Sequence, residues 1–241
     1  MKFIVLGSGS KANGYVLTNG SEALIIEAGV NLIEVKKALD FNISIIQGCI
    51  VSHNHMDHSR YVQQYARNGI SVLAPGEVFF VPHNRNKAVK PHHGYKLGGF
   101  KIFPFQLKHD VVCFGYIIKH DDCGGILFVN DAYVMEYKFY DLNHIIIEAN
   151  YADDILEQKI SEGVTHPSMR KRLMTSHMEL ETTKRTLRYT DLKSVINIIL
   201  VHLSDDHSDE KLFKDEVVRA TGKQVYVAQK GLEVNLAKKP F

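Results

Sequence analysis

No apolar run in this 241-residue chain approaches the length needed to cross a bilayer. Its opening, Met1 to Gly7, holds one lysine and only four consecutive apolar residues before Gly-Ser-Gly, too few for the core of a signal peptide. A membrane protein and a secreted precursor are both disfavoured, and a cytoplasmic protein without a membrane partner is expected. Cysteine is scarce: Cys49, Cys113 and Cys123 are scattered, without C-x-x-C spacing. An odd, dispersed set of thiols makes no disulfide framework and suits a reducing compartment. Cys113, four residues beyond His109, reads as a small buried apolar group. Repeats, linkers and low-complexity tracts are also missing, which favours one domain over residues 1–241.

A net charge of +2 is too small to name a polyanionic partner by itself. Its distribution is more telling. From Val78 to His109 there is no acidic residue, yet Arg85, Lys87, Lys90, Lys96, Lys101 and Lys108 stand there with His83, His92 and His93. A second basic run holds Arg170, Lys171 and Arg172, followed by Lys184, Arg185 and Arg188. Clustered cations bind phosphates, and Arg85, Lys87 and Lys90 are the candidate substrate contacts, against the plainer reading of a solvated surface. With 45% apolar and 23% charged residues the chain can bury a large core unaided. A bound metal would therefore serve chemistry rather than hold the fold together.

Strands are expected at Phe3–Leu6, Tyr15–Leu17 and Ala23–Glu27, the last two joined as a hairpin through Asn19-Gly20. Helical spacing covers Asn31–Leu39, with Leu32, Val35 and Leu39 on one face. A buried strand at Ile45–Val51 ends abruptly at Ser52, and a helix over Ser59–Arg67 and a strand at Ile70–Leu73 follow. Further strands are expected at Phe100–Leu107, Cys113–Lys119, Ile126–Val129, His144–Glu148, Val195–Val201, Gln224–Val227 and Leu232–Leu236. A charged, mostly helical stretch runs from Asp153 to about Thr190, and a helix covers Asp209–Ala220. Strands in runs with helices between the runs imply sheets covered by helices.

The chemistry lies in Ser52-His53-Asn54-His55-Met56-Asp57-His58. Three histidines and an aspartate directly after a buried strand are hard to explain structurally, and imidazole with carboxylate suits zinc and its neighbours. His-x-His-x-Asp-His, placed between a strand and a helix, resembles the signature of the metallo-β-lactamase superfamily. His109, Asp131 and His202, each just past an apolar strand, match the family's remaining ligands in order. Gly7-Ser8-Gly9-Ser10-Lys11-Ala12-Asn13-Gly14, the His109-Asp110 pair, Glu148-Ala149-Asn150 and His202-Leu203-Ser204 look like the bacterial YycJ/WalJ-like branch.

The resemblance covers nearly the whole chain and implies an α/β (α+β) fold, a four-layer αββα sandwich. It implies two divalent metal ions, zinc foremost, with manganese or iron as alternatives. His53, His55 and His109 would bind one ion, Asp57, His58 and His202 the other, and Asp131 would bridge them. The implied activity is hydrolysis of nucleic acid, DNA in particular, by an exonuclease-like phosphodiesterase, with Asp57 orienting the attacking water. Glu148 and His177, which fall between Asp131 and His202, resemble the acid pair of polynucleotide-processing members, with His177 as general acid. Two alternatives stand beside this: hydrolysis of a small ester, thioester, lactam or cyclic phosphodiester, and nucleic-acid binding without turnover on the same fold. The chain departs from the family at Glu27, usually an aspartate, and at Ala132-Tyr133. Oligomeric state is not legible in the sequence.

Overall fold

Uninterrupted apolar runs make strands that are covered on both faces. His144–Glu148 and Asn197–Val201 are such runs, and neither leaves a residue exposed. The computed structural model describes residues 1–238. In chain order the elements are β1 Lys2–Gly7, β2 Gly14–Thr18, β3 Ala23–Ile26, α1 Leu32–Ala38, β4 Ile46–Ile50, α2 Met56–Ser59, α3 Val62–Arg67, β5 Val72–Ala74, β6 Asn86–Ala88 and β7 Tyr95–Leu97. Then come β8 Phe100–Leu107, β9 Cys113–His120, β10 Gly124–Val129, β11 His144–Glu148, α4 Asp153–Ser161, α5 Ser168–Ser176, α6 Leu180–Tyr189, β12 Asn197–Val201, α7 Glu210–Thr221, β13 Gln224–Val227 and β14 Glu233–Asn235.

The strands form two seven-stranded sheets, ordered β14-β1-β2-β3-β4-β5-β6 and β13-β12-β11-β10-β9-β8-β7. In each sheet one half pairs antiparallel and the other parallel, with the change at β3 and at β10. Three apolar layers hold the stack together. Phe3, Tyr15, Phe100, Tyr116 and Phe128 fill the space between the sheets. Leu32 and Val35 of α1 with Tyr65 of α3 cover the first sheet's outer face. Leu187 of α6 and Phe213 and Val217 of α7 cover that of the second. This is the αββα sandwich that the sequence resemblance implies. No helix among the described residues is long and apolar enough to cross a membrane.

Local chemistry sets the boundaries. Asn31 and Asp209 cap α1 and α7 by accepting from the backbone N–H of Ile33 and Leu212, and Gly222 ends α7 at φ +66°. The helix expected over Ser59–Arg67 is two pieces and starts earlier, at Met56. Ala28, just past β3, donates its N–H to the His58 carbonyl (2.7 Å) and accepts from Tyr61 (2.8 Å), which pins the break between α2 and α3. The charged stretch after Asp153 resolves into α4, α5 and α6. The short strands β6 and β7 carry too little apolar pattern to be read from sequence, and their ladders to β5 and β8 make them.

Gly29 stands where three segments cross. Its N–H donates to the Asn13 carbonyl (3.0 Å), and Asn13 donates to the Asp57 carbonyl (2.7 Å). A Cβ on Gly29 would lie 1.6 Å from the Asp57 carbonyl oxygen, so backbone would have to move. Gly29→Ala should cost about 3 kcal/mol or more, lowering the thermal midpoint by roughly 6–12 °C. An unchanged midpoint in calorimetry would show that this crossing is not tight.

Candidate metal centre

Strands β8 and β10 are each antiparallel to β9 and so run the same way, with β11 and β12 parallel to β10. Their C-terminal ends, together with those of β3 and β4, meet along one edge of the sandwich. His53, His55, Asp57 and His58 follow β4, with His55 as the N-cap residue of α2. His109 follows β8, Asp131 follows β10, Glu148 ends β11, and His202 follows β12. Three of the residues at these ends adopt left-handed backbone without being glycine: Glu27 (φ +64°), Asp131 (φ +51°) and His202 (φ +56°). Such conformations cost of order 1 kcal/mol or more each and persist where the surroundings impose them.

The structure brings all seven expected ligands together. Side-chain donor atoms of His53, His55, His109 and Asp131 lie within 4.8 Å of one another, as do those of Asp57, His58, Asp131 and His202. Asp131 Oδ2 is 3.5 Å from His53 Nε2 and 3.3 Å from His58 Nε2, and its Oδ1 is 2.5 Å from His202 Nδ1. Several of these atoms, His53 Nε2 and His202 Nε2 among them, are buried and make no hydrogen bond among the described residues. A buried polar atom left unpartnered costs about 1–3 kcal/mol. The arrangement makes sense if a cation satisfies these atoms.

Neighbours fix the rings. His109 Nδ1 lies 2.9 Å from the Ser176 carbonyl, which can only accept, so Nδ1 carries the proton and Nε2 keeps a free lone pair. His53 Nδ1 is 2.8 Å from the Ser52 hydroxyl. Glu27 is wholly buried, accepts from the Ser52 N–H (3.1 Å) and brings Oε1 to 3.4 Å from His58 Nδ1. The longer side chain thus still reaches the ring from a left-handed turn.

Protonation divides the cluster. Burial pushes His53 well below the ordinary histidine range, helped by the neighbouring His58. Burial also depresses His109. Burial is the largest single influence on His58 and His202 as well and opposes their charge, but Asp131 outweighs it together with Glu27 and Asp57 at His58 and with Glu148 at His202. His58 is held well above the usual range, and His202 rises to about 10.

Glu148 and His177 do meet. His177, at the C-terminal cap of α5, donates Nδ1–H to Glu148 Oε1 at 2.7 Å, and the same oxygen is 3.2 Å from His202 Nδ1. Glu148 Oε2 accepts from the N–H groups of Ala132 and Met178 (both 3.1 Å). Burial works against charge on His177, but Glu148 overcomes it and raises the pKa. A cleft of about 270 Å³ opens on this group, lined by His55, Asp57, Asp131, His177 and His202, with Arg172 on its wall. Arg85, Lys87 and Lys90 are exposed along and beside edge strand β6 and do not line it.

Two participants, Asn13 and Asp110, stand in motifs that the sequence resemblance rests on but had no role read for them. Asn13 accepts from the Gly9 N–H (3.0 Å), which orients the amide, and its Nδ2 lies 3.1 Å from Asp57 Oδ2 and 3.0 Å from His58 Nε2. Asp110, at the mouth, brings Oδ1 to 3.0 Å from His109 Nε2 and 3.4 Å from His55 Nε2. Asn13 has no titratable signature, and its one sequence signal is its place among the glycines of the β1–β2 loop.

No family model matches the chain. A curated relative, the exodeoxyribonuclease WalJ of Streptococcus pneumoniae serotype 2 (strain D39), is 22% identical over 231 residues, covering 88% of this chain and 84% of that one. Among solved structures, the metallo-β-lactamase fold protein YhfI of Bacillus subtilis superposes with a TM-score of 0.70 at 15% identity, over 97% of this chain and 99% of that one. Zinc-bound PqqB of Methylobacterium extorquens gives 0.72 at 13% identity, over 98% and 100%. The short form of human tRNase Z gives 0.66 at 14% identity, over 98% and 99%. With the site at the strand ends of such a sandwich, the chain has the metallo-β-lactamase fold, and its likeness to WalJ supports the YycJ/WalJ-like branch of that superfamily.

Proposed function

We propose that this chain is a phosphodiesterase that hydrolyses nucleic acid, DNA in the first place, with two divalent metal ions, zinc foremost. The observation that carries this reading is the convergence of buried, unpartnered ring nitrogens around the Asp131 carboxylate, beside the Glu148–His177 pair. His53, His55 and His109 would hold one ion, Asp57, His58 and His202 the other, and Asp131, common to both groups, would join them. Bound there, the ions would offset charge building on phosphoryl oxygens and acidify water in the cleft.

The protein's own groups supply the rest. Asn13 holds Asp57 through Oδ2, and the carboxylate would accept a hydrogen bond from an attacking water and so orient it. His177 keeps Nδ1–H on Glu148, which raises its pKa and favours a second proton on Nε2 that it would give to the leaving oxygen. Arg172, on the cleft wall and without an ion-pair partner among the described residues, favours an anionic substrate over a neutral ester or lactam. Arg85, Lys87 and Lys90 would meet the substrate beyond the cleft. The names of WalJ and tRNase Z, both nucleases, support the same direction.

Incubation of end-labelled DNA and RNA strands with zinc or manganese tests this reading. Metal-dependent cleavage that a chelator abolishes is expected, with DNA preferred. Salt-dependent binding without cleavage in either metal would overturn it.

Metal uptake should release protons. The protons held by His58 and His202 above the ordinary histidine range must leave when cations arrive, so affinity should climb as pH rises toward 10. Titration calorimetry at pH 7 in buffers of different ionisation enthalpy should report two ions and net proton release. Uptake without release would contradict this assignment. His53→Ala should lose both metal and turnover, whereas Asp57→Asn should keep most of the metal and lose at least about 100-fold in rate.

His177→Ala should cost roughly 10²–10⁴-fold on DNA but less than about tenfold on an activated aryl phosphodiester, whose phenolate leaves without a proton. Equal losses on both substrates would assign His177 a structural or binding role instead.

A further inference from the structure

At the end of the second sheet away from the metal cleft, three lysines stand in a row. Lys96 of β7 pairs directly with Lys101 of β8, and Lys101 pairs directly with Lys119 of β9. Side chains in direct register share a face with Cβ atoms about 5 Å apart, and like charges placed so destabilise a sheet. All three lysines are exposed. Two carboxylates close by have other partners: Glu22 accepts from the Gly99 N–H (2.7 Å) and lies 3.0 Å from His120 Nε2, while Asp122 accepts from the Asn19 amide (2.6 Å). The row lines a groove of about 660 Å³ with Lys238, Asp121 and Asp141, four ammonium groups against two carboxylates. None of the three forms an ion pair among the described residues, and the two carboxylates of the groove leave it with an excess of positive charge.

The neighbouring surface is suited to a strand of nucleotides. Ile102 points into the core between the sheets, so Phe103, two residues from Lys101, shares the lysines' face. Phe103 is 40% exposed, a ring on which a base can stack. Lys101 and Leu107 are six residues apart on β8, which is about 20 Å of strand, and His109 follows Leu107. Duplex rises about 3.4 Å per base pair, so some six pairs separate this groove from the metal ligands.

We propose that the Lys96–Lys101–Lys119 groove is a phosphate-binding exosite that grips the backbone of a nucleic-acid strand engaged at the metal cleft. This rests on the nucleic-acid reading of that cleft. The row accepts a cost in stability in return for a local field that draws in phosphates. Removing the charge should therefore weaken binding and strengthen the fold, a pair of opposite effects that a merely solvated surface would not show.

The test uses the full chain carrying Asp57→Asn to prevent cleavage, with and without Lys96→Gln, Lys101→Gln and Lys119→Gln together. Fluorescence anisotropy with a labelled single-stranded 20-mer should show at least a tenfold loss of affinity. The salt slope should fall by about 2, three phosphates at roughly 0.7 each. A trinucleotide, too short to reach from cleft to groove, should bind equally to both proteins. In the otherwise wild-type chain, hydrolysis of an activated aryl phosphodiester should be unchanged by the triple substitution. Lys101→Glu alone should raise the thermal midpoint while weakening 20-mer binding. An unchanged 20-mer slope and affinity would overturn the exosite, even in a protein that cleaves DNA. Loss of tripolyphosphate binding without loss of 20-mer binding would also overturn it, assigning the groove to small free phosphates. Binding of the 20-mer through the groove by a wild-type chain that cleaves no diester would overturn the catalytic reading alone.

Discussion

Asp131 lies 1% exposed among His53, His58 and His202, and its negative charge is what the rest of the edge is built around. A buried carboxylate is tolerated only where cationic or hydrogen-bonding groups compensate it. Here the compensation comes from imidazoles delivered by β4 and β12, two strands of different sheets. The same charge is the main force raising His202 and His58 against burial. Glu27, Glu148 and Asp57 add to it, which makes the half of the site around Asp57 richer in acid, while burial keeps His53 and His109 in the other half neutral. One half competes with protons for a cation, and the other has few protons to give up.

Precision at this edge depends on backbone in unfavourable regions. Glu27, Asp131 and His202 each turn left-handed at a strand end. The β1–β2 loop ties these turns together. The Ser8 hydroxyl accepts from the His202 N–H (2.9 Å) and meets the Tyr15 hydroxyl (2.9 Å), and Tyr15 donates to Asn13 Oδ1 (3.3 Å). Asn13 in turn holds Asp57. A chain of hydrogen bonds thus runs from the last candidate ligand to the loop of the first ones, and each bond polarises the next.

Much of this was legible because ligand chemistry and strand ends coincide in sequence. His109, Asp131 and His202 each follow an apolar run, and a period of two or an unbroken run marks a strand whatever sheet it joins. Glu148 and His177 could be paired in outline, though not the additional 3.2 Å approach of Glu148 to His202. What escaped depended on tertiary contacts. The break between α2 and α3 comes from the strand end at Ala28, β6 and β7 come from their ladders, and Asn13 acts through an amide that shows no periodicity or charge. The left-handed turn at Glu27 escaped for the same reason, since glutamate does not advertise such a conformation.

The division of the strands between two sheets has a consequence for the order of assembly. The first sheet takes β1 to β6 and is then closed by β14, the last strand, whereas the second is built wholly from β7 to β13. Each candidate donor group draws on both: His53 and His55 stand with His109 and Asp131, and Asp57 and His58 with Asp131 and His202. Neither sheet alone presents a full set, so strong affinity for a cation arises only when the sheets dock. A bound ion would then act as a clasp across their seam, stabilising the docked state by mass action.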